Sequence, residues 1–551
     1  MTNTSPTPTT PKRLKYAPIL LLIAINLIIG VFVLHDYGNS WDEFKFYKYA
    51  NLTLGSLEKW WSEGVFPTFG NTYDNYGPAY VVGITLVTRT LGKLGIDWAV
   101  PQIRHFIYFA TFQLGVYYFY CLCLRWLHDW AAFGATLLFS TQPLFWGHAF
   151  ISPKDIPFMS FFLASVALGL RAHDSVLGEG HVPRIFDAVA ANWRQLSKNS
   201  KRNLLVATLL WLTALSLLVC GTQVFYNLIS NVMSGLYQSN QQTLLGRLFA
   251  FVAEDAYQAS ANIYIGKAFT LFQQLRFLLL IISPAPIIWY FWKKFRPIFT
   301  LINAPIILAG FALGLTTSIR ILGPLAGLLV GLYMLVKSGK RAIPVLFFYT
   351  LIALYVVYVS WPYLWPNPLE HVYESLTVMS RYPWRGETLF NYNYYSSADI
   401  PWTYLPVVLA IQFTEPVLVL FLIGLIGLVW VWIKTKNRQN LLILVSIWFF
   451  IPVIGLVVSR APLYDNSRQV FFLLPPIFLV AGIALDMIFE TIHRPMLKAI
   501  IMAALILPGI FQGVKLHPYQ YIYYNSIIGG VKGAYRRFEL DYWGLSYPEA
   551  A

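Results

Sequence analysis

The sequence predicts an all-α polytopic membrane protein of about thirteen membrane-spanning helices, and three observations predict it. Of its 551 residues, 57% are hydrophobic and only 12% charged, a balance foreign to water-soluble domains. Apolar runs long enough to cross a hydrocarbon core of roughly 30 Å recur along the chain. The basic residues gather in alternate loops between those runs, as orientation by positive charge requires.

The runs that predict spans are 17–34, 105–122, 131–147, 156–170, 204–226, 269–292, 298–317, 321–336, 343–361, 415–433, 440–459, 469–487 and 498–514. Lys12, Arg13 and Lys15 precede the first run, which places the N-terminus in the cytoplasm and the C-terminus outside. The same parity puts Arg125, Lys293-Lys294, Lys434 and Arg494 inside. The first run is long and lacks a small-residue cleavage site, so it reads as an uncleaved anchor. The segment 76–91 is interrupted by Arg89 and is short for a span. It is expected to lie as a helix along the outer interface, because counting it as a span would turn every later basic loop outward.

This organisation gives a disordered cytoplasmic stretch at 1–16, rich in Thr and Pro, and a transmembrane module at 17–361 with a long first external loop at 35–103. An external loop at 362–414, C-terminal spans within 415–514 and an external tail at 515–551 follow. The expected location is the cell (inner or plasma) membrane, with the lipid bilayer itself as one partner. The net charge of +15 is explained by basic loop clusters and points to no nucleic acid. The cysteines Cys121, Cys123 and Cys220 all fall within predicted spans and form no pairing framework.

Parity also sorts the acids. Asp42, Glu43, Asp74, Asp155, Glu254, Asp255, Glu370, Glu387, Asp399 and Asp465 all fall on the outer side, whereas an ion-coupled transporter keeps acids at mid-span depth. Trp41-Asp42-Glu43 follows the first span directly. Its two carboxylates are either candidates for a base at the membrane surface or an acidic pair that marks where a helix ends. Asp155 lies in Ser152-Pro153-Lys154-Asp155-Ile156-Pro157, where it is either a site acid or a cap for the helix that follows. His148, just upstream, is either a contact residue or a hydrogen-bonded filler. Arg320 and Arg468 stand at outer span junctions, and Arg468 closes Tyr464-Asp465-Asn466-Ser467-Arg468. A guanidinium there suits a phosphate held by charge-assisted hydrogen bonds, each worth about 1.5–3 kcal/mol, or snorkels to the interface.

Together, the Trp-Asp-Glu after the first span, Ser-Pro-Lys-Asp-Ile-Pro before the fourth and Tyr-Asp-Asn-Ser-Arg before a late span resemble a C-type (GT-C) glycosyltransferase. The nearest groups are bacterial aminoarabinose transferase-like enzymes and protein O-mannosyltransferases. The resemblance covers most of residues 15–170 and weakens toward about 480. It implies a GT-C-like fold with interfacial helices in the first external loop. It further implies transfer of a sugar from a polyprenyl-phosphate-linked donor to a lipid, glycan or protein acceptor on the non-cytoplasmic side. On this likeness Asp42 is the general base, Glu43 orients the acceptor and Asp155 is a second acid. Arg320, Arg468 and Lys154 hold the donor phosphate, and Trp41, Tyr76, His148 and Tyr464 contact acceptor or sugar. The chain departs from some relatives at Asp74-Asn75-Tyr76-Gly77-Pro78, where they carry a lysine toward the donor.

The chemistry stands beside the likeness. A hydroxyl acceptor needs a carboxylate within hydrogen-bond reach, and neighbouring residues of one helix point in different directions, so only one of Asp42 and Glu43 meets it. A departing phosphate is stabilised by fixed cations, and an inverting single displacement is expected. No Asp-x-Asp motif and no Gly-rich phosphate loop occurs, which favours a lipid-borne over a nucleotide donor. No cofactor is required, and a divalent metal is left open because no ligand spacing demands one. The competing readings are a glycan ligase using a polyprenyl-diphosphate donor and a lipid or glycan transporter.

Overall fold

The computed structural model describes residues 15–63, 72–95, 98–178, 182–239, 242–252, 258–380, 384, 386–435 and 438–547. Most of the N-terminal stretch expected to be disordered lies outside them. The described residues are dominated by helices, nine of whose segments are long and apolar enough to cross a membrane by length and composition. About thirteen were expected. The run at 131–147 divides into Asp129–Ser140 and Pro143–Ile151, because Pro143 cannot continue the preceding helix. The run at 298–317 is shortened to Ala304–Thr317, with the Asn303 side chain accepting from the Ile306 amide at 3.1 Å and so setting its start. The run at 469–487 becomes a 17-residue helix, Pro475–Thr491, after a tight turn at Arg468–Leu473.

The loops carry their own order. Trp41–Glu63 and the 15-residue helix Ala79–Lys93 occupy the 35–103 segment, and Ala79–Lys93 is too short to span. An unexpected feature of the 362–414 segment is an antiparallel hairpin, Glu387–Phe390 with Asn393–Ser396. Asn391 and Tyr392 both have positive φ, 49° and 70°, which is the backbone that a two-residue hairpin turn demands.

Six helices build the centre. Asp155–Leu177 packs against Val100–Cys123 and Ala304–Thr317, while Pro475–Thr491 packs between Glu415–Thr435 and Asp129–Ser140. Their facing residues (Phe112, Phe139, Phe158, Val166, Phe478 and Val480 among them) are fully buried. The outward faces keep exposed Leu, Ile and Val, as lipid-facing helices do. One end of this bundle is tied by Arg125 to Asp174 and by Arg438 to Asp486 at 2.8 Å. The other end carries the residues that the sequence singled out.

Backbone fit at that end depends on Gly77. A Cβ there would lie 2.1 Å from the carbonyl oxygen of Ser318, so only glycine lets segment 72–78 rest on the loop before Arg320. Trp361 Nε1 donates to the Asp74 carbonyl at 3.1 Å and Tyr49 Oη to the Tyr76 carbonyl at 2.8 Å, which fixes the same segment from two sides. Gly77→Ala is expected to lower stability by about 1–3 kcal/mol, the usual cost of overpacking, read as an earlier melting transition of the purified protein.

Candidate functional site

Asp155 opens the Asp155–Leu177 helix, and its side chain is wholly buried. It does not cap that helix. The Ser152 hydroxyl accepts from the Asp155 amide at 3.0 Å instead, which leaves the carboxylate free to meet cations. Arg320 Nη1 reaches its Oδ1 at 3.2 Å and Arg468 Nη1 its Oδ2 at 3.1 Å. Arg468 also lies 3.7 Å from Asp42 and donates through Nε to Asp465 at 2.9 Å, with Nη2 on the same oxygen. Lys154 Nζ meets Asp42 at 2.8 Å and stands over the rings of Phe46 and Tyr76 at 5.1 and 5.2 Å. Three cations and three carboxylates from four stretches of chain thus form one network, every side chain 16% exposed or less.

The loop that presents Arg468 is strained and tightly held. Asp465 and Asn466 both adopt left-handed backbone, φ 55° and 61°, conformations that cost energy and persist only where neighbours impose them. The Asn466 amide donates to the Tyr404 hydroxyl at 2.9 Å, its side chain donates to the Glu539 carbonyl at 3.2 Å, and it accepts from Tyr524 at 3.0 Å.

The expected site residues sort into two groups. Asp42, Asp155, Lys154, Arg320 and Arg468 converge, with Tyr76 and Tyr464 beside them; Tyr464 lies 5.4 Å from the Arg468 guanidinium and stacks on Trp384 at 4.2 Å. Glu43, Trp41 and His148 do not join the network. Glu43 turns one helical step away from Asp42, accepts from the Ser40 amide at 2.7 Å and from Tyr47 at 3.0 Å, and faces His105 at 3.0 Å. It satisfies the Ser40 amide at the helix N-terminus, while the Ser40 hydroxyl donates to the Ile151 carbonyl at 2.7 Å. Trp41 is exposed and meets the Tyr547 ring edge-on at 6.4 Å. His148 is fully buried, with Nδ1 donating to the Leu144 carbonyl at 2.8 Å and Nε2 accepting from Tyr542 at 3.0 Å. Both ring nitrogens are spent, and burial above all holds its imidazole down at about 4.

Two further partners come from the tail. Trp543 lies over the Arg468 guanidinium at 4.6 Å, and Glu539 approaches Asp465 closely enough to feel its charge. Burial opposes ionisation of Asp42, but Lys154 and then Arg468 outweigh it and hold the carboxyl at about 2. Burial, then the Asp465 charge, push Glu539 up to about 8. Each carboxylate of the network is paired with a cation. Among the described residues, His128, Asp486 and Glu490 bring ligand atoms together. They lie at the other end of the bundle, where Asp486 already binds Arg438.

No family model matches this chain, and no curated protein matches it either. Among solved structures, the chain is similar to the Archaeoglobus fulgidus oligosaccharyltransferase in its apo form, with a TM-score of 0.39 and 14% identity over 93% of this chain and 56% of that one. It is likewise similar to the oligosaccharyltransferase AglB of the same organism in complex with an inhibitory peptide and a dolichol-phosphate, with a TM-score of 0.40, 13% identity and the same coverage. The chain therefore spans little more than half the length of those proteins. At these values the likeness is loose, and the site geometry stands independently of it.

Removal of Asp155 takes from Arg320 its carboxylate partner and from Arg468 one of three. Asp155→Ala is expected to cost about 3–5 kcal/mol of stability, measured by chemical denaturation in detergent. A second expectation concerns pH. The folded value of Glu539, about 8, stands above its ordinary 4.5, so the folded state holds an extra proton between those limits. Stability therefore falls as pH rises through that window. The melting temperature of the wild type should drop more steeply between pH 6 and 9 than that of Glu539→Gln.

Proposed function

We propose that this protein is a membrane glycosyltransferase that moves a sugar from a polyprenyl-phosphate-linked donor to an acceptor on the non-cytoplasmic face. The observation that carries the reading is the convergence of Lys154, Arg320 and Arg468 on Asp42 and Asp155 at one end of an apolar helical bundle. A lipid carrier reaches such a site from the bilayer, and its phosphate finds cations there without a nucleotide pocket.

The proposed mechanism follows from the pairing. In the structure Asp42 is engaged by Lys154 and Arg468, and at about 2 its carboxylate is a weak base. An incoming phosphate competes for those same cations. As Lys154 and Arg468 turn toward the phosphate oxygens, Asp42 loses the charges that depress it, and its basicity rises. Asp42 then accepts the acceptor's proton while the acceptor oxygen attacks the anomeric carbon from the side opposite the phosphate. The bond between that carbon and the phosphate oxygen breaks, its electron pair stays on the phosphate, and the cations stabilise that charge. Asp155, locked between two arginines, keeps them oriented.

The low value of Asp42 favours one second reading, a ligase with a polyprenyl-diphosphate donor whose better leaving group leans on the cations more than on a base. The two readings part on mutation. Under the leading one, Asp42→Asn is expected to reduce transfer by about 10²–10⁴-fold, with protein level and membrane insertion normal. Mass spectrometry of lipids and surface glycans from cells lacking the chain, complemented by each variant, reads the result. Wild-type glycans from Asp42→Asn, lost only in Arg468→Ala, would move the assignment to the ligase.

A further inference from the structure

The C-terminal tail reaches the network through Trp543, a core residue that packs against His148 and Tyr542 but stands outside the hydrogen bonds that fasten the tail. The tail is fastened elsewhere. Asn525 Nδ2 donates to the Ala410 and Phe413 carbonyls at 2.8 and 3.0 Å, and Tyr524 bonds Asn466. Tyr542 bonds His148, and the Asp541 carboxylate accepts from Tyr521 and from the Leu545 and Ser546 amides at 3.0 Å. Gly147 adds a close approach, since a Cβ there would lie 2.4 Å from the Tyr521 amide nitrogen.

Trp543 takes part in none of these hydrogen bonds. It is 2% exposed, and its indole N–H is buried without an acceptor among the described residues, an unfavourable state for such a group. An indole kept at that cost is not there for its hydrogen bond. What it offers is its ring face, placed over the Arg468 guanidinium at 4.6 Å. Tyr464 stands by the same guanidinium at 5.4 Å.

Building on the lipid-phosphate reading, we propose that Trp543 is a positioning residue that holds Arg468 in place for the donor phosphate, so that the tail is part of the site. When a phosphate draws Arg468 away from Asp42, the guanidinium gives up that 3.7 Å ion pair. A ring lying over it keeps its plane without competing for the N–H donors that the phosphate needs. Such a contact is worth about 0.5–2 kcal/mol, enough to shift affinity for an anion roughly tenfold.

The test uses the full chain in nanodiscs, with farnesyl phosphate as the probe and farnesol as its uncharged control. Trp543→Leu is expected to bind farnesyl phosphate about tenfold more weakly with farnesol binding unchanged, and Trp543→Phe, which keeps a ring but no N–H, is expected to stay within about threefold of wild type. If Trp543→Leu does not purify as a folded protein, Trp543→Met serves the same comparison. A wild-type preference for the phosphate that survives in the Leu or Met variant overturns the proposal and leaves the lipid-phosphate reading standing. Equal losses for both lipids, or equal losses in the Phe and Leu variants, overturn it as well, because they mark a merely structural role. No phosphate preference in the wild type removes the lipid-phosphate reading and this inference with it.

Discussion

The guanidinium of Arg468 is the interaction on which the rest depends. It touches carboxylates from three stretches of chain, Asp42, Asp155 and Asp465, and it does so almost wholly buried. Three acids gathered in so little space repel one another, and they stay together only because a cation with forked donors sits among them. Lysine could not replace it, since one ammonium lacks the planar reach to hold three partners. The loop conformation at Asp465 and Asn466, the bonds that Tyr404 and Tyr524 make to it, and the ring of Trp543 all serve to place that one group.

The network is costly as a source of stability, because each charge gave up water to enter it. Apolar side chains would fill the same space with less conflict. Arg125–Asp174 and Arg438–Asp486 at the far end differ in kind: they tie helices together, and Asp174 remains nearly half exposed.

Much of this was legible in the sequence, and the reason is topological. A charged residue at the edge of an apolar run has few places to go, so Asp42, Lys154, Asp155, Arg320 and Arg468 could be assigned to one end of a bundle before any contact was known. Glu43 lies apart from Asp42 for the reason the sequence already offered, that neighbouring helix residues point in different directions; a step of one residue around the helix sends it to Ser40 and His105. His148 was drawn in by nearness to Asp155, whereas its surroundings are aromatic. The tail was hidden more deeply. Nothing in the periodicity of 515–551 shows that Trp543 lands on a residue 75 positions earlier, although the density of aromatics around Asp541 was the available signal. Nine segments of the described residues meet a span's length and apolarity against about thirteen expected runs, because prolines and caps shorten some runs and two others fall within the single segment Pro324–Ser360.

The meeting of Gly77 with Ser318 carries a consequence for how such a protein can change over generations. Main chain rests on main chain there, with Tyr76 on one flank and Arg320 two residues along the other. Neither loop can drift alone, so a lineage that altered the course of one would have to revise both together.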